Sequence, residues 1–243
     1  MSVMNGFREE LIKSLSGING DFIIYETNDQ EISKFQQTYP DAKIVKNYQQ
    51  RVITTNDRGI EGLLMKSMTI EDFYKIPRLN ENLFEIENVT ESWVFIGTEL
   101  ARSLDVKVGD SLQISIPGSS MTILGPVLNS HVLIIKGIFN TGVYDYDKYF
   151  IYSNQNYFKD ISDYPVFEVY EGNTKVDSKD LSPMIYDTWS DQNQSLAQAL
   201  ATEKNVMFII LFFIILISSF TIISNQIFFI KEKYKDIVLL KSL

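Results

Sequence analysis

The strongest hydrophobic pattern in the chain is an uninterrupted apolar segment near its C-terminal end. Residues 206–230 contain no charged side chain. A helix rises about 1.5 Å per residue, so this segment is about 37 Å long and can cross a hydrocarbon core of about 30 Å. The positive-inside bias predicts a cytoplasmic tail and an external N-terminal part, because lysines gather on the C-terminal side of the span at Lys231, Lys233, Lys235 and Lys241.

The first residues carry a weaker pattern that has two interpretations. A single apolar helical stripe contains Val3, Met4, Phe7, Leu11 and Leu15. Such a stripe is typical of an amphipathic surface helix. The segment lacks the basic region, apolar core and small-residue cleavage site of a signal peptide. Because an external domain needs an export signal, we expect residues 1–17 to be the end of a preceding transmembrane or stalk helix.

Between these two ends, alternating polar and apolar positions predict short strands with a few helices. The predicted strands are 21–26, 43–56, 60–66, 132–139, 166–172 and 184–189. A helix is expected over 29–39, ended by Pro40. Residues 93–117 predict a strand, a helix, a turn and a second strand. A further helix over 189–204 is predicted to continue into the membrane span.

These elements predict an α+β fold. We expect an extracytoplasmic domain of mixed small sheets and helices, followed by one transmembrane α-helix. The domain is expected to have two subdomains, one of which is split in sequence. The predicted parts are an end of a preceding helix (1–17), a split α+β subdomain (18–67 and 160–188), a β-rich inserted subdomain (68–159), a stalk helix (189–205), the span (206–230) and a cytoplasmic segment (231–243).

Composition narrows the class of protein. The chain has 243 residues, a net charge of −9 and no cysteine. An acidic chain lacks the basic face that binding to nucleic-acid phosphates requires. A cysteine-free domain outside the cytoplasm is held together by its apolar core, which is more typical of a periplasmic module than of a small disulfide-linked domain.

A long connection, residues 118–131, is predicted between two strands. Loops of this length in compact domains are typically functional. Its apolar residues are Met121, Ile123, Leu124, Val127 and Leu128. Leaving them in water costs about 25 cal/mol per Å² of apolar surface. Two interpretations stay open: these residues fold back on the domain, or they bind a partner.

Few residues are candidates for catalysis or metal binding. His131 is the single histidine, and a chain without cysteine then offers no zinc cluster. Ser119 and Ser120 lack the sequence of a nucleophile elbow, and Asp145 and Asp147 are expected in a solvated turn. No glycine-rich phosphate loop occurs. We therefore expect no cofactor in this chain, and any ATP to be bound by another chain.

Four collinear segments carry a resemblance to a known family. They are VMNGFREEL at 3–11, ELARSLDVKVGD at 99–110, GIFNTGVYDYD at 137–147 and the segment from EKNVMF to IVLLKSL at 203–243. Together they resemble the permease subunit of the lipoprotein-releasing ABC transporter, the LolC/LolE family. The resemblance covers essentially the whole chain.

The resemblance implies a permease with four transmembrane helices and a large periplasmic domain between the first two. The chain then corresponds to the end of the first helix, the periplasmic domain (18–205) and the second helix. The implied location is the inner membrane of a bacterium, with residues 231–243 in the cytoplasm. The implied partners are a cytoplasmic ATPase that binds ATP with magnesium, a second permease subunit that is identical or homologous, a periplasmic lipoprotein chaperone and a lipoprotein cargo. The chain itself is expected to be a transport subunit and not an enzyme.

The resemblance also implies two interaction sites. The implied contact with the ATPase is formed by Glu232, Tyr234, Asp236, Ile237 and Leu240. The implied chaperone-binding loop is formed by Met121, Thr122, Ile123, Leu124, Gly125, Pro126 and Val127. In that loop, Ile123 and Leu128 stand where the family has prolines, and Pro126 is displaced. Asp105 replaces a glycine of the family, a change that a left-handed backbone conformation tolerates.

Two other classes of protein are consistent with the same pattern. One is a related mechanotransmitting permease that acts in efflux or cell-wall regulation. The other is a single-span receptor or adhesion module. Co-purification of an acylated protein distinguishes the lipoprotein-releasing permease from the first of these.

Overall fold

We analysed a computed structural model that describes residues 6, 15, 17–56, 59–84, 93–122, 125–155, 164–177, 179–182 and 184–241. The chain divides into two compact units, residues 1–192 and 193–243. The predicted N-terminal stripe at Val3, Met4, Phe7 and Leu11 lies outside the described residues. Its last member, Leu15, is buried, as is Ile18.

The first unit contains strands and short helices in a mixed order. Its strands are β1 (Phe22–Tyr25), β2 (Lys43–Asn56), β3 (Gly59–Met68), β4 (Leu83–Phe84), β5 (Val94–Gly97), β6 (Ser111–Thr122), β7 (Gly125–Phe139), β8 (Phe150–Asn154), β9 (Val166–Tyr170) and β10 (Ile185–Thr188). Its helices are α1 (Asp29–Thr38), α2 (Ile70–Lys75), α3 (Pro77–Glu81), α4 (Thr98–Leu104), α5 (Tyr144–Tyr149) and α6 (Trp189–Gln192). The second unit consists of α7 (Gln194–Lys241). This combination of strands and helices, followed by one long apolar helix, confirms the predicted fold class.

Most of the predicted elements form for the reasons that their sequences suggest. The side chain of Asn28 accepts hydrogen bonds from the backbone amides of Gln30 and Glu31, which caps α1 at its first turn. Asp105 ends α4 in the left-handed conformation, with φ 55° and ψ 46°. This confirms that a non-glycine residue is accommodated where a left-handed cap is needed.

Four strands form an outer sheet. Its order is β10, β1, β9 and the first part of β2, and all three pairings are antiparallel. The helix α1 packs on this sheet through Ile32 and Phe35, which join a buried cluster with Ile24, Phe167 and Val169. The outer sheet therefore combines the first strands of the domain with its last ones.

The second part of β2 enters a closed ring of strands. In the described part of the chain, β2 pairs with β3, β3 with β8, β8 with β5, β5 with β7, β7 with β6, and β6 again with β2. A sheet that closes in this way is a small barrel, which has no free edge along the closed part. Its interior is filled by aliphatic side chains, and α4 contributes Leu100, Ala101 and Leu104 to the same cluster.

A second apolar cluster lies outside this barrel. Phe73 of α2 packs against Trp93, Phe95 and Tyr152, with ring centroids 4.7 to 6.0 Å apart. The same cluster includes Val45 and Tyr170 from the outer sheet. Aromatic packing therefore joins the barrel to the outer sheet.

Two sequence-based predictions differ from the structure. The connection predicted over 118–131 is wrong as a loop, because residues 111–122 and 125–139 form the long strands β6 and β7. The turn predicted at Asp145 and Asp147 is the helix α5, and Asp147 is buried. The boundary between two subdomains stays a prediction, since β2 runs through both the outer sheet and the barrel.

Candidate functional site

The main candidate site is a hairpin that projects from the barrel, which we call the arm and define as residues 116–122 and 125–131. The barrel pairings of its two strands end at the base of the arm: β6 pairs with β2 at Ile114 and Ser115, and β7 pairs with β5 from Ile135 onward. Within the described part of the chain, the strands of the arm pair only with each other. The arm is thus a two-stranded extension of one wall of the barrel.

The predicted chaperone-binding residues lie at the end of the arm. Met121 and Thr122 end β6, and Gly125, Pro126 and Val127 begin β7. In the register, Met121 faces Pro126 and Thr122 faces Gly125. Ile123 and Leu124 fall between these strands in sequence and lie outside the described residues. The structure therefore brings the described members of the predicted set together on opposing strands.

The base of the arm is anchored inside the barrel. Leu112 and Ile114 of β6 and Leu133 and Ile135 of β7 point inward and belong to the aliphatic cluster. On the opposite side of β7, Val132 and Ile134 are exposed. The hydroxyl oxygens of Ser115 and Ser130 lie 2.8 Å apart across the two strands. This alternation shows which face of β7 points into the barrel and which face points outward where the arm begins.

The arm also differs from the rest of the chain in charge. No Asp, Glu, Lys or Arg occurs from residue 111 to residue 135, in a chain with 22% charged residues. The register of the hairpin is irregular between Ile116 and Ser120, where Pro117 lacks a backbone N–H. An uncharged hairpin with exposed apolar residues at its base is typical of a protein interaction surface.

Asp147 organises the turn that leads from the barrel into α5. Its carboxylate accepts hydrogen bonds from the backbone amide and the hydroxyl of Thr141, each at 2.8 Å, and from the amide of Gly142 at 3.2 Å. Burial raises the pKa of Asp147, while the bonds from Thr141 and Gly142 oppose that rise and the charge of Glu99 adds to it. Arg78 donates to the carbonyl oxygen of Thr141 from the other side. This aspartate is structural, and sequence reasoning missed its burial.

The residues predicted as weak candidates for metal binding lie apart in the described part of the chain. They contain no group of three or more His, Cys, Asp or Glu side chains placed to hold a metal ion. His131 lies half-buried on β7, and Asp145 and Asp147 lie on the helix α5, with Asp145 exposed and Asp147 buried.

A buried polar cluster was missed by the sequence analysis. Lys66 of β3 forms an ion pair with Glu168 of β9 at 2.7 Å, and both side chains are almost inaccessible, at 2% and 0%. Lys66 also donates to the side-chain oxygen of Asn19 at 2.9 Å, and Asn19 donates to the hydroxyl of Tyr146 at 2.7 Å. Burial and the negative charge of Glu168 raise the pKa of Tyr146 to about 12.

The helix α7 is the second candidate site. Its residues 194–234 are long and apolar enough to cross a membrane, and it is the one such helix in the described part of the chain. The hydroxyls of Ser218, Ser219 and Thr221 each donate to the backbone carbonyl four residues earlier, at 2.8 to 3.0 Å. Such bonds satisfy these hydroxyl groups in an apolar environment.

The predicted ATPase contacts all lie on the last turns of α7. Helical spacing places Glu232, Asp236 and Leu240 in one line, with Ile237 beside it and Tyr234 on the other side. The side chains of Glu232, Tyr234 and Leu240 are exposed, and those of Asp236 and Ile237 lie outside the described set. Four of the five predicted residues thus share one side of the helix.

These features define an α+β domain on a long membrane-compatible helix, and comparisons with known proteins place the chain beside permeases. It is 24% identical, over 100% of its length and 64% of the relative, to the lipoprotein-releasing system transmembrane protein LolC of Neisseria meningitidis. It is 27% identical to LolC of Xylella fastidiosa over 62% of the chain and 39% of that relative. These relatives confirm the resemblance to the LolC/LolE permease subunits. The chain spans less than two thirds of the length of either relative.

Comparisons with family profiles and with solved structures add little to this similarity. No protein-family profile matches the chain. Among solved structures, the extracellular domain of the noncanonic ABC-type transporter YknZ from Gram-positive bacteria is similar with a TM-score of 0.41 and 11% identity, covering 66% of this chain and 85% of that one.

Proposed function

We propose that the chain is the periplasmic domain and second membrane helix of a permease subunit that extracts lipoproteins from the outer leaflet of the bacterial inner membrane and passes them to a periplasmic chaperone. ATP hydrolysis in a separate cytoplasmic subunit drives the cycle, and this chain takes no part in the chemistry. The observation that carries the proposal is the uncharged arm that projects from a closed barrel. The similarity to LolC, which extends over the whole of this chain and 64% of that relative, supports it.

In this proposal the arm recruits the chaperone. A carrier of acyl chains must offer an apolar surface, and an uncharged hairpin tip can bind such a surface without desolvating charges. The binding residues are Met121, Thr122, Ile123, Leu124, Gly125, Pro126 and Val127. The two strands of the arm pair with each other and continue into the barrel, so less conformational entropy is lost on binding than for a free loop.

The last turns of α7 couple the permease to its ATPase. Glu232, Asp236 and Leu240 recur every four residues and give that surface two acids and one aliphatic side chain, while Ile237 extends it. Tyr234 contacts a neighbouring part of the same partner. The alternative role of this segment is a simple anchor, in which lysines extend to the membrane surface. A second permease subunit, identical or homologous, completes the membrane assembly.

The test of the arm is a pair of matched substitutions. Leu124→Asp introduces a charge into the proposed chaperone-binding set and should abolish cross-linking of the full permease to its periplasmic chaperone. Ile60→Asp places a charge at an exposed position on the other hairpin, between β2 and β3, and should leave cross-linking unchanged. Both variants should keep the wild-type melting temperature. Normal cross-linking of Leu124→Asp would contradict the assigned role of the arm.

The cargo is tested separately. Purification of the full permease in mild detergent should bring down an acylated protein, detectable by mass spectrometry of its lipid-modified N-terminus. Absence of such a protein, together with normal ATPase coupling, would favour a related permease of efflux or cell-wall regulation. Stoichiometric recovery of a chaperone without acylated cargo would leave the arm assignment intact and overturn the cargo assignment.

A further inference from the structure

The outer sheet and the barrel share a single strand, β2. Residues 43–47 of β2 pair with β9, and residues 48–56 pair with β3. The change of partner falls between Asn47 and Tyr48. A strand that serves two sheets can bend or twist at such a point, and one shared strand alone does not hold two sheets in a fixed orientation.

The Lys66–Glu168 ion pair crosses this point. Lys66 lies on β3 opposite Gln49 of β2, and Glu168 lies on β9 opposite Val45 of the same strand. Gln49 also donates to the Glu168 carboxylate, at 3.3 Å. The ion pair therefore links the two neighbours of β2 on either side of the residue at which β2 passes from one sheet to the other.

The same polar cluster also contacts residues 18 and 19, where the chain enters the domain. Asn19 bonds both to Lys66 and to Tyr146 of α5, and the hydroxyl of Tyr170 lies 2.9 Å from the carbonyl oxygen of Ile18 and 3.0 Å from the Glu168 carboxylate. These contacts attach the entering segment to a barrel strand, a barrel-side helix and the outer sheet at once.

The energetics of this cluster are unusual for a purely stabilising contact. Removing two charges from water costs several kcal/mol per ion, so a buried pair contributes little net stability compared with a well-packed apolar pair. Its hydrogen bonds, however, are directional and fix the relative position of the elements that carry them. A cluster of this kind determines orientation more than it determines whether the domain folds.

We propose that the Lys66–Glu168 pair, together with Asn19, Tyr146 and Tyr170, is a joint that locks the barrel and the outer sheet into one rigid body at the point where the chain enters the domain. A displacement of the entering segment then moves the arm and the outer sheet together. These residues are positioning residues, and they touch no cargo or partner. The joint does not depend on the identity of the transported molecule.

The test compares stability with rigidity in the full chain. The sequence has no cysteine, so spin labels attach only to cysteines that are introduced. We place them at two exposed positions, with Gln37→Cys on α1 and Lys107→Cys between α4 and β6. In this background, Lys66→Met and Glu168→Leu alone should each lower Tm by about 10 °C, because each leaves the other charge buried without an opposite charge beside it. The double substitution should restore Tm to within about 5 °C of the parent.

The decisive measurement is the distribution of distances between the two labels, obtained by pulsed electron resonance. The double variant should fold and yet show a distribution about twofold broader than the parent, because the direct bond between the barrel strand β3 and the outer-sheet strand β9 is gone. The matched control is Lys148→Met with Glu61→Gln, which removes a pair that joins α5 to β3 without crossing β2. The control should leave the width unchanged.

Two outcomes of the distance measurement would contradict the proposed joint. An unchanged width in the folded double variant overturns it, and so does equal broadening in the control, which would indicate general loosening. If the double variant does not fold, Tyr170→Phe keeps the ion pair and removes one hydroxyl, and it should broaden the distribution to a smaller extent. A parental width in that variant would likewise overturn the proposal. Failure of the chaperone or cargo experiments would not affect any of these outcomes.

Discussion

Gly97 lies so close to Asp147 that a methyl group on its Cα would overlap the backbone carbonyl group of that aspartate. Gly97 ends β5 and begins α4, and Asp147 belongs to α5. The contact therefore sets the distance between the two helices at one end of the barrel. Two sequence segments that carry the family resemblance, 99–110 and 137–147, adjoin at this contact.

Gly97→Ala should destabilise the domain by about 1 to 3 kcal/mol, because the added methyl forces a backbone shift in a packed region. Urea unfolding of the detergent-solubilised chain, followed by tryptophan fluorescence, measures the change. Gly62→Ala is the matched control, since no heavy atom lies within 4 Å of a methyl at that exposed strand position. Equal stability of the two variants would contradict the close approach.

The titration of Asp147 should make stability depend on pH. Burial raises the pKa of Asp147 above its usual value of 3.8, so the folded state holds its proton more tightly than the unfolded state does. The resulting contribution to stability is fully present below about pH 3.8 and is lost as the pH rises through the raised pKa of the folded state.

Asp147→Asn should remove this dependence, because the amide does not titrate. Its stability curve between pH 3 and pH 7 should therefore fall less steeply with rising pH than that of the wild type. Thermal unfolding across this range tests the difference. Parallel curves for the two proteins would show that Asp147 does not contribute to the pH dependence.

The anchoring of the arm should appear in two adjacent residues of β7. Leu133 is completely buried and Val132 is 65% exposed. Leu133→Ala should destabilise the domain by about 2 to 5 kcal/mol, whereas Val132→Ala should change stability by less than about 0.5 kcal/mol. Denaturant unfolding measures both. A reversed order would mean that the register of β7 is shifted by one residue.

The orientation of α7 can be tested with single cysteines. Ser190→Cys, before the helix, should react with a membrane-impermeant maleimide in intact spheroplasts. Lys241→Cys should react only after the membrane is permeabilised, because the lysine-rich end is expected in the cytoplasm. Phe220→Cys within the span should react in neither condition. Labelling of Lys241→Cys in intact spheroplasts would reverse the predicted topology.

Local patterns predicted most of the strands but not how they are arranged. The alternation in 43–56 and 166–172 indicated β2 and β9 because one face of each strand is buried, and burial leaves a period of two in the sequence. The closed ring depends on pairings such as Ile53 with Ser115 and Met65 with Ile151, which join distant parts of the chain. Periodicity carries no information about such partners.

The failures of prediction have separate physical causes. Gly118, Gly125 and Pro126 indicated a loop over 118–131, yet strands outside the continuous part of a sheet tolerate such residues because their outer hydrogen bonds are not needed. The helix α5 spans only six residues, Tyr144–Tyr149, which is too short for a helical period to appear. The Lys66–Glu168 pair joins residues 102 positions apart, and neither residue is distinctive in its own segment.

For the two interaction sites, the sequence predicted which residues lie near one another but not what binds to them. The described members of the arm set, from Met121 to Val127, do meet at the end of one hairpin, because the strands on both sides were recognisable. The shared face of Glu232, Asp236 and Leu240 follows from helical spacing alone. Which partners bind at either place stays a prediction.

The pairing of β1 with β10 has a consequence for the order of events during synthesis. Phe22 pairs with Thr188, so the outer sheet lacks its edge strand until residue 188 has been made. The apolar helix follows within a few residues, at Gln194. The edge of β1 that β10 covers therefore stays open until residues 185–188 have been made, and during that time it is exposed to chaperones and proteases.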